Sequence, residues 1–171
     1  GALDAKVRLE LRRWLRNLHQ ELHITSVFVT HDQEEALELA DRVVVMNNGS
    51  IEQLGKPEEV YEHPATPFVY NFMGKVNLFH GRVGKGKFYI GGMAMDIACQ
   101  SDVYPVRATG YIRPHLVDID RKPQDSSAIS TTVRHINRAG PLVRLELCTS
   151  WGDPFLAEIT QERFQELALS L

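Results

Sequence analysis

The sequence is poor in cysteine and has no long apolar run. Its two cysteines, Cys99 and Cys148, stand far apart and outside any C-x-x-C pair, which argues against a disulfide framework or a zinc knuckle. We expect two packed thiols instead. Every apolar run is far shorter than the roughly 20 residues that span a bilayer, and the first residues lack the apolar segment of a signal peptide. These absences predict a cytosolic chain.

The sequence also lacks an excess of basic residues. It carries 19 Lys and Arg against 22 Asp and Glu, which gives a formal net charge of −3. Nucleic-acid-binding domains normally show a basic face, so we expect no nucleic-acid partner. The 43% hydrophobic and 24% charged residues are typical of a globular protein, and 171 residues allow one or two domains.

The first 22 residues predict an amphipathic helix. From Asp4 onward, apolar residues recur every three or four positions, which places them on one helical face. These residues are Val7, Leu11, Trp14, Leu15, Leu18 and Leu22. The opposite face carries Arg8, Arg12, Arg13 and Arg16. Given the acidic balance of the chain, we interpret this arginine row as a solvated face rather than an anion site.

The next segment alternates strand and helix signals. Residues 26–29 predict a buried strand, and residues 33–40 predict a helix that Asp32 begins, with Glu35 forming a capping-box variant. Residues 43–46 predict a second strand, and Asn48-Gly49 predicts a tight turn into a returning strand over residues 50–54. This alternation is typical of an α/β fold.

After Gly55 the signals change twice. Short helices are predicted over residues 57–62 and 68–73, and Gly74 closes this half of the chain. Beyond it, short apolar runs between glycine, proline and polar turns predict a small β barrel or sandwich. The predicted strands cover residues 78–83, 88–90, 93–97, 107–112, 131–136, 142–147 and 155–159. A last helix is predicted over residues 161–169.

Three motifs suggest chemistry but have simpler explanations. GRVGKGK, residues 81–87, resembles the start of a phosphate-binding loop, yet Phe88 replaces the Ser or Thr and a strand follows, so we predict a β-turn. His19 and His23 are one helical turn apart, but Gln20 replaces the glutamate of H-E-x-x-H, and we expect no metal site. Arg113 in YIRP either faces an anion or sits at a strand end before Pro114; the residues favour neither.

His31 is the strongest candidate for a functional side chain. The hydrophobic run SVFVT ends at His31, and an acidic helix start follows at once. Open α/β sheets bind ligands at the carboxyl ends of their strands, which is where His31 is predicted to lie. A histidine at this position can also simply cap the next helix, and taken alone the two interpretations are equally good.

A family resemblance rests on two segments, GALDAKVRLELRRWL and TSVFVTHDQEEALELADRVVVMNNGSIEQLGKPEEVYEHPATPFVYNFMG. Together they resemble the C-terminal part of ABC-transporter ATP-binding subunits, most of all those of sulfate/thiosulfate importers. The resemblance implies that residues 1–74 are an α/β remnant, the C-terminal part of a P-loop NTPase core. It implies that residues 75–171 form a mainly β, OB-like (TOBE) regulatory domain, a small barrel that is incomplete at its C-terminus.

The resemblance also implies roles for individual residues. Ala2, Leu3 and Asp4 match the D-loop, which crosses the interface between two ATPase subunits; Asp4 can also cap the first helix. His31 matches the switch histidine, which contacts the γ-phosphate of ATP and helps to position the attacking water. A hydrogen-bond donor at this place suits phosphoryl transfer, whose catalysis consists of positioning and electrostatic stabilisation.

The implied cofactors of the intact protein are ATP and Mg²⁺. The implied partners are a second ATPase subunit and the transmembrane permease subunits, with the protein cytoplasmic and peripheral on the inner face of the bacterial plasma membrane. The chain contains no genuine phosphate loop, no signature motif and no strand ending in Asp-Glu. We therefore expect a fragment that, alone, neither hydrolyses ATP nor binds it tightly.

A second hypothesis concerns residues 75–171 by themselves. OB-like folds also serve as ligand platforms, so this half could be an autonomous regulatory or oxyanion-binding module.

Overall fold

The computed structural model describes residues 5–22, 24–97, 105–123 and 128–169. The chain divides into two compact units, residues 1–74 and residues 75–171. The helices are α1 (Ala5–Leu22), α2 (Gln33–Leu39), α3 (Pro57–Glu62), α4 (Pro67–Phe72) and α5 (Gln161–Leu167). The strands are β1 (Val43–Asn47), β2 (Ser50–Gly55), β3 (Asn77–Gly84), β4 (Lys87–Ile90), β5 (Met93–Asp96), β6 (Val106–Ile112), β7 (Thr131–Asn137), β8 (Leu142–Thr149) and β9 (Pro154–Thr160). Among the described residues, no helix is long and apolar enough to cross a membrane.

The first unit contains the predicted helix α1, but its apolar stripe is not buried. Val7, Leu11, Trp14 and Leu22 are between 43% and 57% exposed. The opposite face makes the contacts instead, because Arg12 and Arg16 both form ion pairs with Glu38 of α2. The prediction of a helix is confirmed. The prediction of a solvated arginine face is wrong for Arg12, which is only 13% exposed, whereas Arg13 and Arg16 are exposed.

The predicted strand over residues 26–29 is absent from the structure. The described residues 24–30 have no regular structure, and Val27 and Val29 are each 90% exposed. A strand needs neighbours to pair its backbone N–H and C=O groups. In the described part of the first unit the strands are β1 and β2, and they pair with each other. A parallel sheet of the α/β kind is therefore not confirmed here.

The β1–β2 hairpin forms as the turn residues predict. Asn48 and Gly49 adopt positive φ values of 48° and 78°, the left-handed conformations that a two-residue hairpin turn of this kind requires. Residues alternate between the interior and the surface along β1, so Val43 and Val45 face inward. They pack with side chains from α3 and α4 in a small core whose buried members are Val43, Val45, Val60, Val69 and Met73.

The second unit contains two antiparallel sheets. One has the strand order β5-β4-β3-β6, and the other is the meander β7-β8-β9. The seven strands and the final helix predicted for this half are all present, with ends that differ from the predicted ones by a few residues. The mainly β architecture agrees with an OB-like domain.

Side chains from both sheets form the core of the second unit. Its buried members are Phe79, Phe88, Ile90, Val143, Leu145, Leu147, Phe155, Ala157, Ile159, Phe164 and Leu167. The rings of Phe79 and Phe155, one from each sheet, lie 5.5 Å apart. The buried side chain of Asn77 joins the same sheets: its amide donates to the Leu156 carbonyl at 2.7 Å and its oxygen accepts from the Leu156 N–H at 2.8 Å. The two sheets thus share one core.

Gly81 allows this core to close around an aromatic ring. A Cβ atom at Gly81 would lie 2.7 Å from the Phe88 ring and 2.4 Å from the Tyr89 carbonyl oxygen. Those distances are too short for any other residue, so glycine is required where β3 passes under Phe88.

Helix α5 is held at both ends. The Thr160 hydroxyl accepts from the Arg163 N–H at 3.1 Å as an N-cap, and Arg121 donates to the carbonyls of Leu167 and Ala168 at the other end. A hydrogen bond to Glu166, together with nearby carboxylates, raises the pKa of the Arg163 guanidinium above its ordinary value. The carbonyl groups at the C-terminal end of α5 thus accept hydrogen bonds from Arg121, a side chain outside the helix.

Candidate functional site

His31 lies between the extended segment 24–30 and the first turn of α2. Its side chain is exposed, and no hydrogen bond to its ring is found among the residues that the structure describes. As far as the described residues go, the imidazole is therefore accessible and both of its nitrogens are available to a ligand. Its predicted place at the end of a strand is wrong for this structure, while its predicted place before a helix is confirmed.

The backbone beside His31 is fixed by a small polar network. Asp32 is the N-cap of α2, and its carboxylate accepts from the Glu35 N–H at 3.2 Å. The Asp32 N–H in turn donates to the Thr30 hydroxyl at 2.9 Å, and that hydroxyl donates to the Glu35 carboxylate at 2.8 Å. The predicted capping box is thus half formed, because Thr30 takes the N–H bond that Glu35 would accept in a complete box. Both residues flanking His31 are held in place.

Arg12 of α1 completes this network from the other side. Its guanidinium lies 3.1 Å from the Asp32 carboxylate, 3.5 Å from that of Glu35 and 3.6 Å from that of Glu38. The Arg12 side chain is only 13% exposed, and its Nε atom is buried without a hydrogen-bond partner among the described residues. One partly desolvated cation therefore offsets several carboxylates that would otherwise repel one another. This contact docks α1 on the turn that carries His31.

The ion pairs that Arg12 forms at the start of α2 were not predicted from the sequence. The available signal was complementary charge: an arginine row on α1 and an acidic stretch, DQEEALE, around the start of α2. Periodicity predicts that the arginines share one face of α1, but it does not predict that α2 packs against that face. The three D-loop candidates, Ala2, Leu3 and Asp4, lie outside the described residues.

The other motifs have structural explanations. GRVGKGK is the end of β3, a turn and the start of β4, with Lys85 and Gly86 at positive φ, which confirms the predicted β-turn. Arg113 is 3% exposed after β6, so the structure buries it rather than presenting it at the surface. His23 lies outside the described residues, and no group of three His, Cys, Asp or Glu side chains placed to hold a metal ion occurs among those described.

Two protein-family models match the second unit of the chain. A family model described as the CysA C-terminal regulatory domain matches residues 77–119, and one described as a TOBE-like domain matches residues 123–170. These two matches cover most of the second unit.

Curated relatives match nearly the whole chain. Three proteins named "Sulfate/thiosulfate import ATP-binding protein CysA" are 56% identical (Nitrosomonas europaea), 55% identical (Bacillus cereus) and 53% identical (Methylococcus capsulatus). Each alignment covers 99% of this chain and 48% of the relative, so the chain spans about half the length of the curated relatives it matches. The chain is thus similar over nearly its whole length to one half of the CysA sulfate/thiosulfate import ATP-binding proteins, and its second unit matches the CysA C-terminal regulatory domain.

Proposed function

We propose that the chain is part of the ATP-hydrolysing subunit of an ABC importer for sulfate or thiosulfate. Residues 1–74 are the C-terminal part of its ATPase domain, and residues 75–171 are its OB-like regulatory domain. The observation that carries this proposal is the identity of 53% to 56%, over 99% of the chain, to import proteins named for ATP binding and for these anions. The exposed apolar surface of the first unit supports it, because the remainder of an ATPase domain offers a surface that covers such residues.

His31 is the residue of this chain that acts on the nucleotide. ATP with Mg²⁺ supplies the transferable phosphoryl group in the intact subunit. The exposed imidazole of His31 fits a phosphate oxygen, because one ring N–H can donate to it with no competing partner among the described residues. The same donor position orients the attacking water, so His31 contributes by positioning and electrostatic stabilisation. Among the described residues, no group of three His, Cys, Asp or Glu side chains is placed to hold a metal ion.

The network around Asp32 is proposed to position His31. Thr30, Asp32 and Glu35 fix the turn on either side of the histidine, and Arg12 holds these carboxylates together. The charge of Arg12 does not reach the nucleotide in this proposal. Its role is to keep the imidazole where the γ-phosphate lies.

The remaining assignments follow from the same similarity. Ala2, Leu3 and Asp4 form the D-loop, which contacts a second ATPase subunit in a homodimer. The subunit is peripheral on the cytoplasmic face of the bacterial plasma membrane, where it meets the transmembrane permease subunits.

The test restores the part of the subunit that this chain does not match. We would join the chain to the unmatched part of the Nitrosomonas europaea relative and measure ATP hydrolysis by the purified hybrid. His31→Ala is expected to lower kcat by about 100-fold or more with a much smaller change in KM, because its hydrogen bonds strengthen as charge develops in the transition state. The isolated 171-residue chain is expected to show no turnover.

His63→Ala is the matched control, since His63 is also an exposed histidine of the first unit and its hydrogen bonds with Gln53 and Glu59 use its backbone atoms. Its kcat is expected to remain unchanged. A hybrid in which His31→Ala and His63→Ala hydrolyse ATP equally fast contradicts the role of His31. A correctly folded hybrid with no ATPase activity at all contradicts the proposed function.

A further inference from the structure

Helix α2 is too short and too exposed to hold its own position. It has seven residues, whereas isolated helices shorter than about 12 residues are marginal in water. None of its residues is buried, and its apolar contact with the small core of the first unit comes from Leu37 and from Ala40 at its C-cap. Contacts from outside α2 therefore decide how its first turn is oriented, and with it His31, which immediately precedes the N-cap.

The C-terminal end of α2 has no cation of its own. Its first turn is acidic, with Glu34 and Glu35, and its last turn contains no basic residue. The last four carbonyl groups of a helix have no partner within it, and the partial negative charge at that end favours a nearby cation. This end of α2 is therefore stabilised by a donor from another part of the chain.

Arg16 of α1 supplies that donor. Its Nη2 atom donates to the Glu38 carbonyl and lies 3.7 Å from the Glu38 carboxylate. The pair with the carboxylate joins two side chains that are 43% and 36% exposed, so salt weakens it. The contact with the carbonyl, by contrast, ties Arg16 to the backbone of α2 rather than to a flexible side chain.

Arg12 and Arg16 hold opposite ends of α2. They are one helical turn apart on α1 and therefore share one face of that helix. The Arg12 guanidinium lies 3.1 Å from the carboxylate of the Asp32 N-cap, whereas Arg16 binds Glu38 in the last turn. Two contacts at separate points fix the direction of a short helix, which a contact at one end leaves free to pivot. Helix α1 thus fixes both the place and the direction of α2.

We propose that Arg16 is a second positioning residue for His31, acting from the far end of α2. Without the Arg16 contact, α2 can pivot about the Arg12 contact, and the turn that carries His31 reorients because it is continuous with the helix backbone. The inference rests on the role proposed for His31 in ATP hydrolysis and deepens it. Arg16 does not touch the nucleotide; it keeps the imidazole in one orientation toward the phosphate oxygen.

Imidazole NMR signals of His31 in the full 171-residue chain test the positioning without ATP. Arg16→Met removes both contacts with Glu38 and leaves the helix propensity of α1 unchanged, since Met and Arg are equivalent in this respect. We expect the His31 ring signals to shift in Arg16→Met. Arg16→Lys keeps the charge and a donor, and is expected to restore most of the original signal. Arg13→Met is the control, because Arg13 is exposed on the same helix and forms no ion pair among the described residues.

Steady-state kinetics of the hybrid subunit measure the consequence for hydrolysis. We expect Arg16→Met to lower kcat about tenfold with little change in KM, since misplacement of a reacting group by about 1 Å can cost about 100-fold. Arg16→Lys is expected to recover most of that loss, and Arg13→Met to keep the kcat of the unchanged hybrid. A variant that only lowers stability changes the amount of folded enzyme, which the amide spectrum of the same sample reports.

The two measurements separate this inference from the proposed function. Unchanged His31 signals in Arg16→Met, or equal shifts in Arg16→Met and Arg13→Met, overturn the inference. An active hybrid whose kcat is the same with and without Arg16→Met overturns it as well. If the unchanged hybrid has no ATPase activity, the proposed function is wrong, and the NMR signals still decide whether Arg16 positions His31.

Discussion

The two units of this chain bury their apolar residues to very different degrees. In the first unit, α1, the segment 24–30 and the outer face of the hairpin expose many large hydrophobic side chains, among them Trp14, Phe28 and Met46 at 57%, 57% and 59%. In the described part of the second unit such exposure is limited to Leu78, Val106, Leu116 and Leu142. The second unit has two sheets that cover each other, whereas the described part of the first has one hairpin, the long helix α1 and three short helices.

An amphipathic pattern leads to burial only when a partner surface is present. Both units follow the same periodicity rules, but burial stabilises a fold only where a second apolar surface removes the first from water. The second unit supplies that surface from its own strands. The first unit supplies it for β1, α3 and α4 but not for α1 or the segment 24–30.

Hydrogen exchange should show the largest difference between the units. Amides in the centre of β8 are paired on both sides and lie in the core, so they are expected to exchange at least about 1,000-fold more slowly than those of residues 24–29, corrected for intrinsic rates. Mass spectrometry or NMR exchange on the full chain measures both. Comparable protection in the two segments would contradict the proposed difference in burial between the units.

A core substitution in the second unit should be strongly destabilising. Leu145 is fully buried at the centre of β8, and Leu145→Ala is expected to lower the free energy of unfolding of this unit by about 3 kcal/mol. Leu142→Ala on the same strand is the control, because Leu142 is 41% exposed and should cost less than about 1 kcal/mol. Denaturant unfolding followed by Trp151 fluorescence measures both, and equal losses would contradict the proposed location of the core.

Asn77 tests how the two sheets are joined. Asn77→Ala leaves the Leu156 N–H and carbonyl without their side-chain partner, and we expect a loss of about 2 kcal/mol in the same unfolding measurement. Asn137→Ala removes one exposed contact to the Ala139 N–H and should cost about 0.5 kcal/mol or less. If the two asparagine variants are equally stable, Asn77 does not link the sheets.

Arg12 tests the weaker organisation of the first unit. Arg12→Ala leaves Asp32, Glu35 and Glu38 without their shared cation, and we expect a loss of about 1 kcal/mol, between the values for exposed and buried pairs. Helix α1 should then lose hydrogen-exchange protection, while β8 should not change. Arg13→Ala serves as the control, since Arg13 is exposed and forms no ion pair among the described residues. A drop in α1 protection in both variants would show that the loss does not depend on the ion pairs of Arg12, because alanine has a higher helix propensity than arginine.

The helices, turns and most strands were predictable because their signals are local. Asn48-Gly49 and Lys85-Gly86 form the expected turns, and the Asp32 cap forms at the expected place. The strand over residues 26–29 was predicted from the same kind of signal, yet it is absent. Its β-branched and aromatic residues favour an extended backbone, but propensity cannot provide the neighbouring strand that pairing requires.

The candidate sites were predictable to a smaller extent. His31 was identified from its neighbours in the sequence, whereas Arg12 and Arg16 were assigned to a solvated face. The environment of each of these arginines is set by a residue 20 or more positions away in the sequence. For Arg12 that residue lies at the start of α2, and for Arg16 it lies in the last turn of α2.

Local conformations follow directly from the sequence: where the chain turns, where helices begin and which residues share a face. These depend on backbone sterics, capping groups and side-chain periodicity, all of which act over a few residues. The tertiary structure decided which faces are covered, since α1 lies on its arginine face with its apolar stripe exposed and β3 pairs with β6, beyond β4 and β5 in the sequence. Those outcomes depend on which surfaces are available for packing and on strand register, and both are properties of contacts between distant parts of the chain.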